Sequence, residues 1–242
     1  MTSKHARWVK SLAIVTCCTA FSPSTKRRSA SYVTVRPVYA VVAQIVDSFG
    51  WTERIGVTFP GVLKHGVAHT AANVDKSWIG TDVDAGLSML IPGSVVTLND
   101  ADAAGIAEMR YGAGRKESGV VLMLTFGTGI GSALFVDGHL VPNTEFGHIQ
   151  VDGKDGEHRA SASAREREDL DYPTWAKRVD RYLDVLEAGL WPDLIIVGGG
   201  VSKKARKWVP LLSTRTPVVA AELLNNAGIV GAALAAQENL AH

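Results

Sequence analysis

The stretch Val120-Val-Leu-Met-Leu-Thr-Phe126, running without a break into Gly127-Thr-Gly-Ile-Gly131, decides how this chain folds. An apolar run of that length with no helical period reads as a strand lying inside a sheet. The glycines that follow permit positive φ and close backbone approach, so successive N–H groups can cradle an anion, with the Thr128 hydroxyl as a further donor. On spacing alone, a tight turn with no ligand accounts for the loop equally well. No Gly-Lys-Ser/Thr follows, which excludes a Walker loop, and the longer dinucleotide fingerprint is also missing.

Outward from this stretch the pattern repeats. Leu194 to Val197 is a second apolar strand, and it enters Gly198-Gly199-Gly200. Ile55 to Phe59 stops at Pro60-Gly61, and Val95 to Leu98 stops at Asn99-Asp100. Helices are expected between the strands. Val38, Val41, Val42, Ile45 and Val46 fall at helical spacing, as do Trp175, Val179, Tyr182, Leu183, Leu186 and Leu190; Ala101 to Tyr111 and Ala227 to Ala236 are Ala-rich. Asp137-Gly138 between two short apolar runs signals a hairpin turn. Strands alternating with helices, with glycine loops at strand ends, give an α/β fold. The expected organisation is a leader over residues 1–37, a small α/β domain over 38–98 with 226–242, and a larger one over 99–225.

The 242 residues carry a formal net charge of +1, but the average hides a break. Residues 1–46 hold seven Lys or Arg and no acid, leaving 18 basic against 24 acidic residues after them, a net of −6. Lys4, Arg7 and Lys10 before Leu12–Phe21 imitate the charged and apolar regions of a secretory signal, diluted by Cys17, Cys18 and Thr19. Residues 1–31 are therefore expected to lie outside the packed fold, with a working signal, or a strand or helix of the fold, as the rival readings. The adjacent pair Cys17 and Cys18 excludes a disulfide framework and a cysteine-ligated zinc site. No apolar run approaches the roughly 18 residues of a membrane-spanning helix. Residues 1–37 are also too few for a winged helix-turn-helix, which argues against nucleic acid as a partner.

Several polar groups stand where chemistry is expected. Asn99-Asp100-Ala101-Asp102 lies where a strand hands over to a helix, suited either to capping or to a carboxylate that takes a proton. Glu145-Phe-Gly-His148, with Glu157 beyond it, combines two carboxylates and an imidazole, a set suited to a polyhydroxylated ligand, with a metal as the rival reading. Lys203, Lys204, Arg206 and Lys207 follow the Gly198–Gly200 loop and are placed either to grip a linear polyanion or to form a solvated face. Arg115 and Lys116 are further candidates.

In order along the chain, Phe59-Pro-Gly61, Asn73, Asn99-Asp-Ala101, Gly127-Thr-Gly-Ile-Gly131, Glu145-Phe-Gly-His148, Gly198-Gly-Gly-Val-Ser202 and Asn226-Ala-Gly-Ile-Val-Gly231 resemble the ROK (repressor, open reading frame, kinase) family of sugar kinases. Val57-Thr-Phe-Pro-Gly61, Thr70-Ala-Ala-Asn-Val-Asp-Lys-Ser-Trp78 and Leu124-Thr-Phe-Gly-Thr-Gly-Ile-Gly-Ser132 are similar to its actinobacterial polyphosphate glucokinase branch.

The resemblance implies an actin-like (ribonuclease H-like) two-domain α/β fold, a cytoplasmic homodimer, and phosphoryl transfer from polyphosphate or ATP, with Mg²⁺, to the 6-hydroxyl of glucose. It implies Asp100 as the base and Asn73, Asn99, Glu145, His148 and Glu157 as sugar ligands. Gly127, Thr128, Gly129 and Gly131 would bind phosphate, as would Gly199 and Gly200, with Lys203 and Lys204 beside them. Val151 to Gly156 replaces the family's Cys-rich motif, so no structural zinc is expected. The family's Asp-x-Gly-Gly phosphate loop is absent before Val38, so the N-terminal sheet is expected to be incomplete. The alternative function is a catalytically impaired or non-catalytic glucose-binding remnant.

Overall fold

The computed structural model describes residues 12–15, 35–72 and 74–240. The chain forms two compact units, Met1–Ala103 with Ile229–His242, and Ala104–Gly228.

In the first unit the elements run β1 (Leu12–Val15), α1 (Val35–Ser48), β2 (Ile55–Phe59), a short hairpin of β3 (Leu63–Lys64) and β4 (Val67–Ala68), α2 (Val83–Ser88) and β5 (Val95–Asn99). At Asp100 α3 (Asp100–Tyr111) begins and continues into the second unit. Strands β1, β2 and β5 make a parallel sheet in the order β1-β2-β5. Every residue of β2 and β5 is buried, as befits parallel strands covered on both faces. Helix α1 buries Tyr39, Val42 and Val46, three to four residues apart on one side. Tyr39 meets Trp78 edge-on at 5.7 Å and Phe59 lies 5.3 Å from the same indole.

Strand β1 corrects the expectation for the leader. Leu12 to Val15, expected to lie outside the fold, pair in parallel with Ile55 to Thr58. Four apolar residues between Ser11 and Thr16 are too short to show a period, and their pairing partner is some forty residues away. A strand of this kind is legible only from the sheet it joins. The first unit's sheet has three strands among the described residues.

The second unit contains β6 (Val120–Phe126), β7 (Ile130–Val136), β8 (His139–Val141), the small hairpin of β9 (Gln150–Val151) and β10 (Lys154–Asp155), α4 (Gly156–Ala160), α5 (Ala162–Arg167), α6 (Tyr172–Leu190), β11 (Leu194–Gly198) and β12 (Val218–Ala220). The last helix, α7 (Ala227–Glu238), returns the chain to the first unit. The larger sheet has the order β12-β11-β6-β7-β8, with β6, β11 and β12 mutually parallel and β7 and β8 antiparallel additions. The β7–β8 turn is the expected Asp137-Gly138, both residues at positive φ.

Helix α6 covers this sheet. Asp171 caps its start by accepting the Thr174 amide, Pro173 occupies its first turn, and Trp191 ends it in the left-handed region. Its buried face is the predicted one, with Trp175, Val179, Tyr182, Leu183 and Leu186. Trp175 and Trp208 pack edge to face at 4.9 Å, both against Phe126, and the Trp175 indole donates to the Ala160 carbonyl at 3.0 Å. Glu108 on α3 is fully buried and accepts the amides of Ala113, Glu222 and Leu223 at 2.9, 3.1 and 2.8 Å. One carboxylate thus pins the segment leading into α7.

Replacing Trp175 with Ala removes a fully buried ring from between two aromatics and leaves the Ala160 carbonyl without its indole donor. We expect a loss of about 3–5 kcal/mol in urea unfolding; a loss below about 1 kcal/mol would mean that this cluster does not carry the core.

Candidate active site

Strands β6 and β11 are parallel neighbours, so the loops that follow them leave the sheet at the same end. Gly198 pairs with Thr125, the residue just before Phe126 and the first glycine loop. In open parallel sheets this is the end where ligands bind. Gly199 has φ of +81°, and a Cβ there would run into the Phe126 carbonyl, so glycine is required where the two loops touch. Gly127, Thr128 and Gly129 turn the β6–β7 hairpin, with Phe126 opposite Ile130, and Gly131 pairs with Thr125 inside β7. The Gly127 amide is used internally, donating to the Gly129 carbonyl at 2.9 Å. Ser163 ties the loop to α5: its amide donates to the Gly127 carbonyl at 3.1 Å and its hydroxyl to the Thr128 carbonyl at 2.6 Å. A pocket of about 280 Å³ opens here, lined among others by Gly127, Thr128, Gly200, Lys204, Arg165 and Tyr172. Lys203 is exposed and does not line it, and Arg115 is bound to Glu222 at 2.6 Å.

Beside the glycine hairpin lies the acid–imidazole cluster. His148 closes the short helical turn Phe146–His148, and its Nδ1 lies 3.1 Å from Asp155 Oδ2, with Glu145 at 3.9 Å from Nε2. Asp155 also caps α4, accepting the Glu157 amide at 3.2 Å. Glu157, next on that helix, accepts the Ile130 amide at 3.1 Å. Gly129 makes this approach feasible, because a Cβ there would collide with the Glu157 carboxylate. Partial burial alone would lower the His148 pKa, but the Asp155 hydrogen bond and the charges of Glu157, Asp155 and Glu145 outweigh it, and the ring titrates above its ordinary value. In sequence Asp155 is merely an acid two residues before Glu157 in a segment without cysteine, and only the fold shows that it holds His148 as well as capping α4.

In the first unit, β2 and β5 also end side by side, Phe59 opposite Asn99. Asn99 is buried, donates through Nδ2 to the Gly61 carbonyl at 3.1 Å, and accepts the amides of Ala101 and Asp102 at 2.7 and 3.2 Å. Asn99 is therefore the cap of α3, which leaves Asp100 with no capping duty. Asp100 keeps an exposed face, yet the protein packed around it raises its carboxyl pKa, outweighing the help of its own amide and that of Ala101. A raised carboxylate that still reaches solvent suits a proton acceptor. Asn73 lies outside the described residues.

Known proteins share this arrangement of sequence. The ROK family profile matches residues 23–165, beginning inside the stretch read as a leader. The chain belongs to the ROK family. It is 57% identical over 206 residues to a polyphosphate glucokinase of Mycobacterium tuberculosis (strain ATCC 25618 / H37Rv), covering 85% of this chain and 78% of that one. The solved inorganic polyphosphate/ATP-glucomannokinase of Arthrobacter sp. strain KM is 49% identical, with a TM-score of 0.79 over 84% of this chain and 83% of its own. A ROK family glucokinase from Streptomyces griseus, solved with glucose and AMPPNP, shares the fold at 24% identity and a TM-score of 0.70, covering 85% of this chain and 89% of its own. The expected fold class, that of actin-like α/β sugar kinases, is thus established for this ROK protein.

The raised His148 pKa has a consequence for stability. A basic group whose pKa rises on folding stabilises in full below its unfolded value, near 6.5, and loses that contribution as pH climbs through the folded value. Asp155→Asn keeps a residue able to cap α4 but removes the charge beside the ring. The thermal midpoint of wild type is expected to exceed that of the variant by more at about pH 6 than at about pH 9; a gap independent of pH would refute the pairing.

Proposed function

We propose that this chain is a glucokinase, transferring a phosphoryl group from inorganic polyphosphate or ATP to the 6-hydroxyl of glucose. One observation carries the reading. Glu157 clusters with His148 and Asp155, Glu145 lying 3.9 Å from the same imidazole, and also bonds the Ile130 amide directly behind the glycine hairpin. A set of groups suited to sugar hydroxyls and a loop suited to phosphate are therefore joined through one carboxylate. The 57% identity to a protein named polyphosphate glucokinase supports the same substrates.

In this reading Glu145, His148 and Glu157 bind hydroxyls of the sugar, while Asn99, its carboxamide already bonded to Gly61, Ala101 and Asp102, holds the backbone that carries Asp100. Asp100 accepts the proton of the 6-hydroxyl as that oxygen attacks. The Gly127–Gly131 and Gly199–Gly200 loops, with Lys204, hold the donor phosphates, Lys203 adding charge from outside the pocket. Phosphoryl transfer asks mainly for alignment and charge neutralisation, and such groups supply both. His148, Asp155 and Glu157 place ligand atoms within 4.8 Å of one another, but an imidazole is a poor ligand for Mg²⁺, which prefers oxygen. We assign the cluster to sugar. Mg²⁺, bound chiefly through the donor's own phosphate oxygens, would supply charge neutralisation. Among the described residues no helix is long and apolar enough to cross a membrane. We take the enzyme to act as a cytoplasmic homodimer, a state that sedimentation measures directly.

The decisive variant is Asp100→Asn, which keeps the shape and removes the base. Its turnover of glucose with either donor is expected to fall by about 10²–10⁴-fold, with little change in thermal midpoint. In wild type, the acid limb of kcat/KM should lie above the ordinary aspartate range near 3.9, because ionisation of Asp100 is disfavoured by its surroundings. Glucose-dependent stabilisation of wild type without any glucose 6-phosphate would instead mean a sugar binder that does no chemistry.

A further inference from the structure

We infer that Arg165, propped by Tyr172, is a specificity-determining residue for the polyphosphate donor, gripping phosphates beyond those that ATP carries. The inference rests on the glucokinase reading above and deepens its donor site.

Arg165 lines the same pocket as Gly127, Thr128, Gly200 and Lys204. Its side chain is only 21% exposed, a costly placement for a cation without acceptors around it. A guanidinium carries five N–H donors. Here Nη1 donates to the Leu170 carbonyl at 3.0 Å, and Nε is shut off from solvent with no acceptor among the described residues. The one acidic residue lining the pocket, Glu166, stands 3.9 Å from Nη2 and is itself 73% exposed. The fork is thus fixed in direction but short of acceptors, in a pocket bounded by two phosphate-type loops. Arginine's planar fork matches phosphate oxygens, and its ionised hydrogen bonds are the strong kind.

Tyr172 explains how the guanidinium is held. The Arg165 Cζ lies 4.8 Å from the centre of its ring, and the Lys207 Nζ lies 5.7 Å from the same ring. The ring is itself packed edge-on against the buried Trp175 at 6.3 Å. With two cations gathered at it, Tyr172 serves as a scaffold for positive charge rather than a platform for a flat base. Lys204 and Arg165 in the pocket, with Lys207 at the Tyr172 ring, then make a track of positive charge beside the Thr128 loop. A linear polyphosphate continues to present anions along such a track, whereas ATP presents a ribose and an adenine after its third phosphate. The discrimination follows from that difference in charge.

Steady-state kinetics of Arg165→Gln with glucose, long-chain polyphosphate and ATP test this. The KM for polyphosphate is expected to rise about tenfold or more, the scale of one lost charge-assisted hydrogen bond, while the KM values for ATP and glucose change less than threefold. Tyr172→Leu should shift the same constant in the same direction by less, and Tyr172→Phe, which keeps the ring, should not shift it. Equal rises for both donors would overturn Arg165 as a specificity determinant, and no rise for either would overturn the contact itself. Calorimetric binding of long-chain polyphosphate to wild type and Arg165→Gln separates this claim from the kinase reading. Wild type that binds the chain but makes no glucose 6-phosphate would end that reading alone, and unchanged binding in the variant would end this one. Should Arg165→Gln not fold, Tyr172→Leu and the salt dependence of the wild-type constants decide: added salt must raise the polyphosphate KM more steeply than that for ATP.

Discussion

The hydrogen bond from the Ile130 amide to Glu157 is the constraint on which the rest of the second unit's chemistry depends. It crosses from a helix to a strand, and it forms only because position 129 has no side chain to block it. Its geometry is inherited. Glu157 sits at the start of α4, whose first turn is set by Asp155, and Asp155 at the same time takes a nitrogen of His148. Two carboxylates two residues apart therefore orient an imidazole and a glycine hairpin together. A change in any one member alters the others, because they share backbone rather than merely lying near each other.

A comparable division of labour operates at Asn99 and Asp100. A carboxamide both donates and accepts, so Asn99 can bond the Gly61 carbonyl and two amides of α3 at once. An ionised carboxylate there could do only the accepting half. With the cap supplied by its neighbour, Asp100 keeps its exposed face for chemistry while the protein packed around it raises its pKa. The order Asn then Asp separates a structural duty from a chemical one, and reversing it would give neither.

The parts of this fold that could be read from sequence are those governed by local rules. Val120–Phe126 and Leu194–Gly198 announce themselves by uninterrupted apolar character followed by glycine, and α6 by a 3.6-residue period. Leu12–Val15 could not be read, since a four-residue parallel strand carries no period and owes its existence to β2. Within the site, Glu145, His148 and Glu157 stood out as residue types, but Asp155 did not, because nothing local distinguishes a capping Asp from one that also holds an imidazole. Arg165 was hidden more thoroughly. It stands in Arg165-Glu-Arg-Glu168, a run that looks like an ordinary solvated helix face, and only the packing of Tyr172 and Leu170 shows one of its charges turned to use.

Net charge is a poor guide to where a polyanion settles on such a protein. Past residue 46 the chain carries a net of −6, which by itself would repel polyphosphate. That repulsion fades over about 8 Å at physiological salt, so the local pattern of pairing decides. Several surface arginines are already committed to acids: Arg115 to Glu222 at 2.6 Å, Arg178 to Glu168 at 2.7 Å and Arg181 to Asp152 at 2.8 Å. An anion arriving at these would have to displace a carboxylate already in place. Among the described residues the one acid near Arg165 is a distant, exposed Glu166, and Arg165 stands with Lys204 at the mouth of the glycine loops. A phosphate chain gains most where the cations have the least to give up, and that place lies at the phosphate loops.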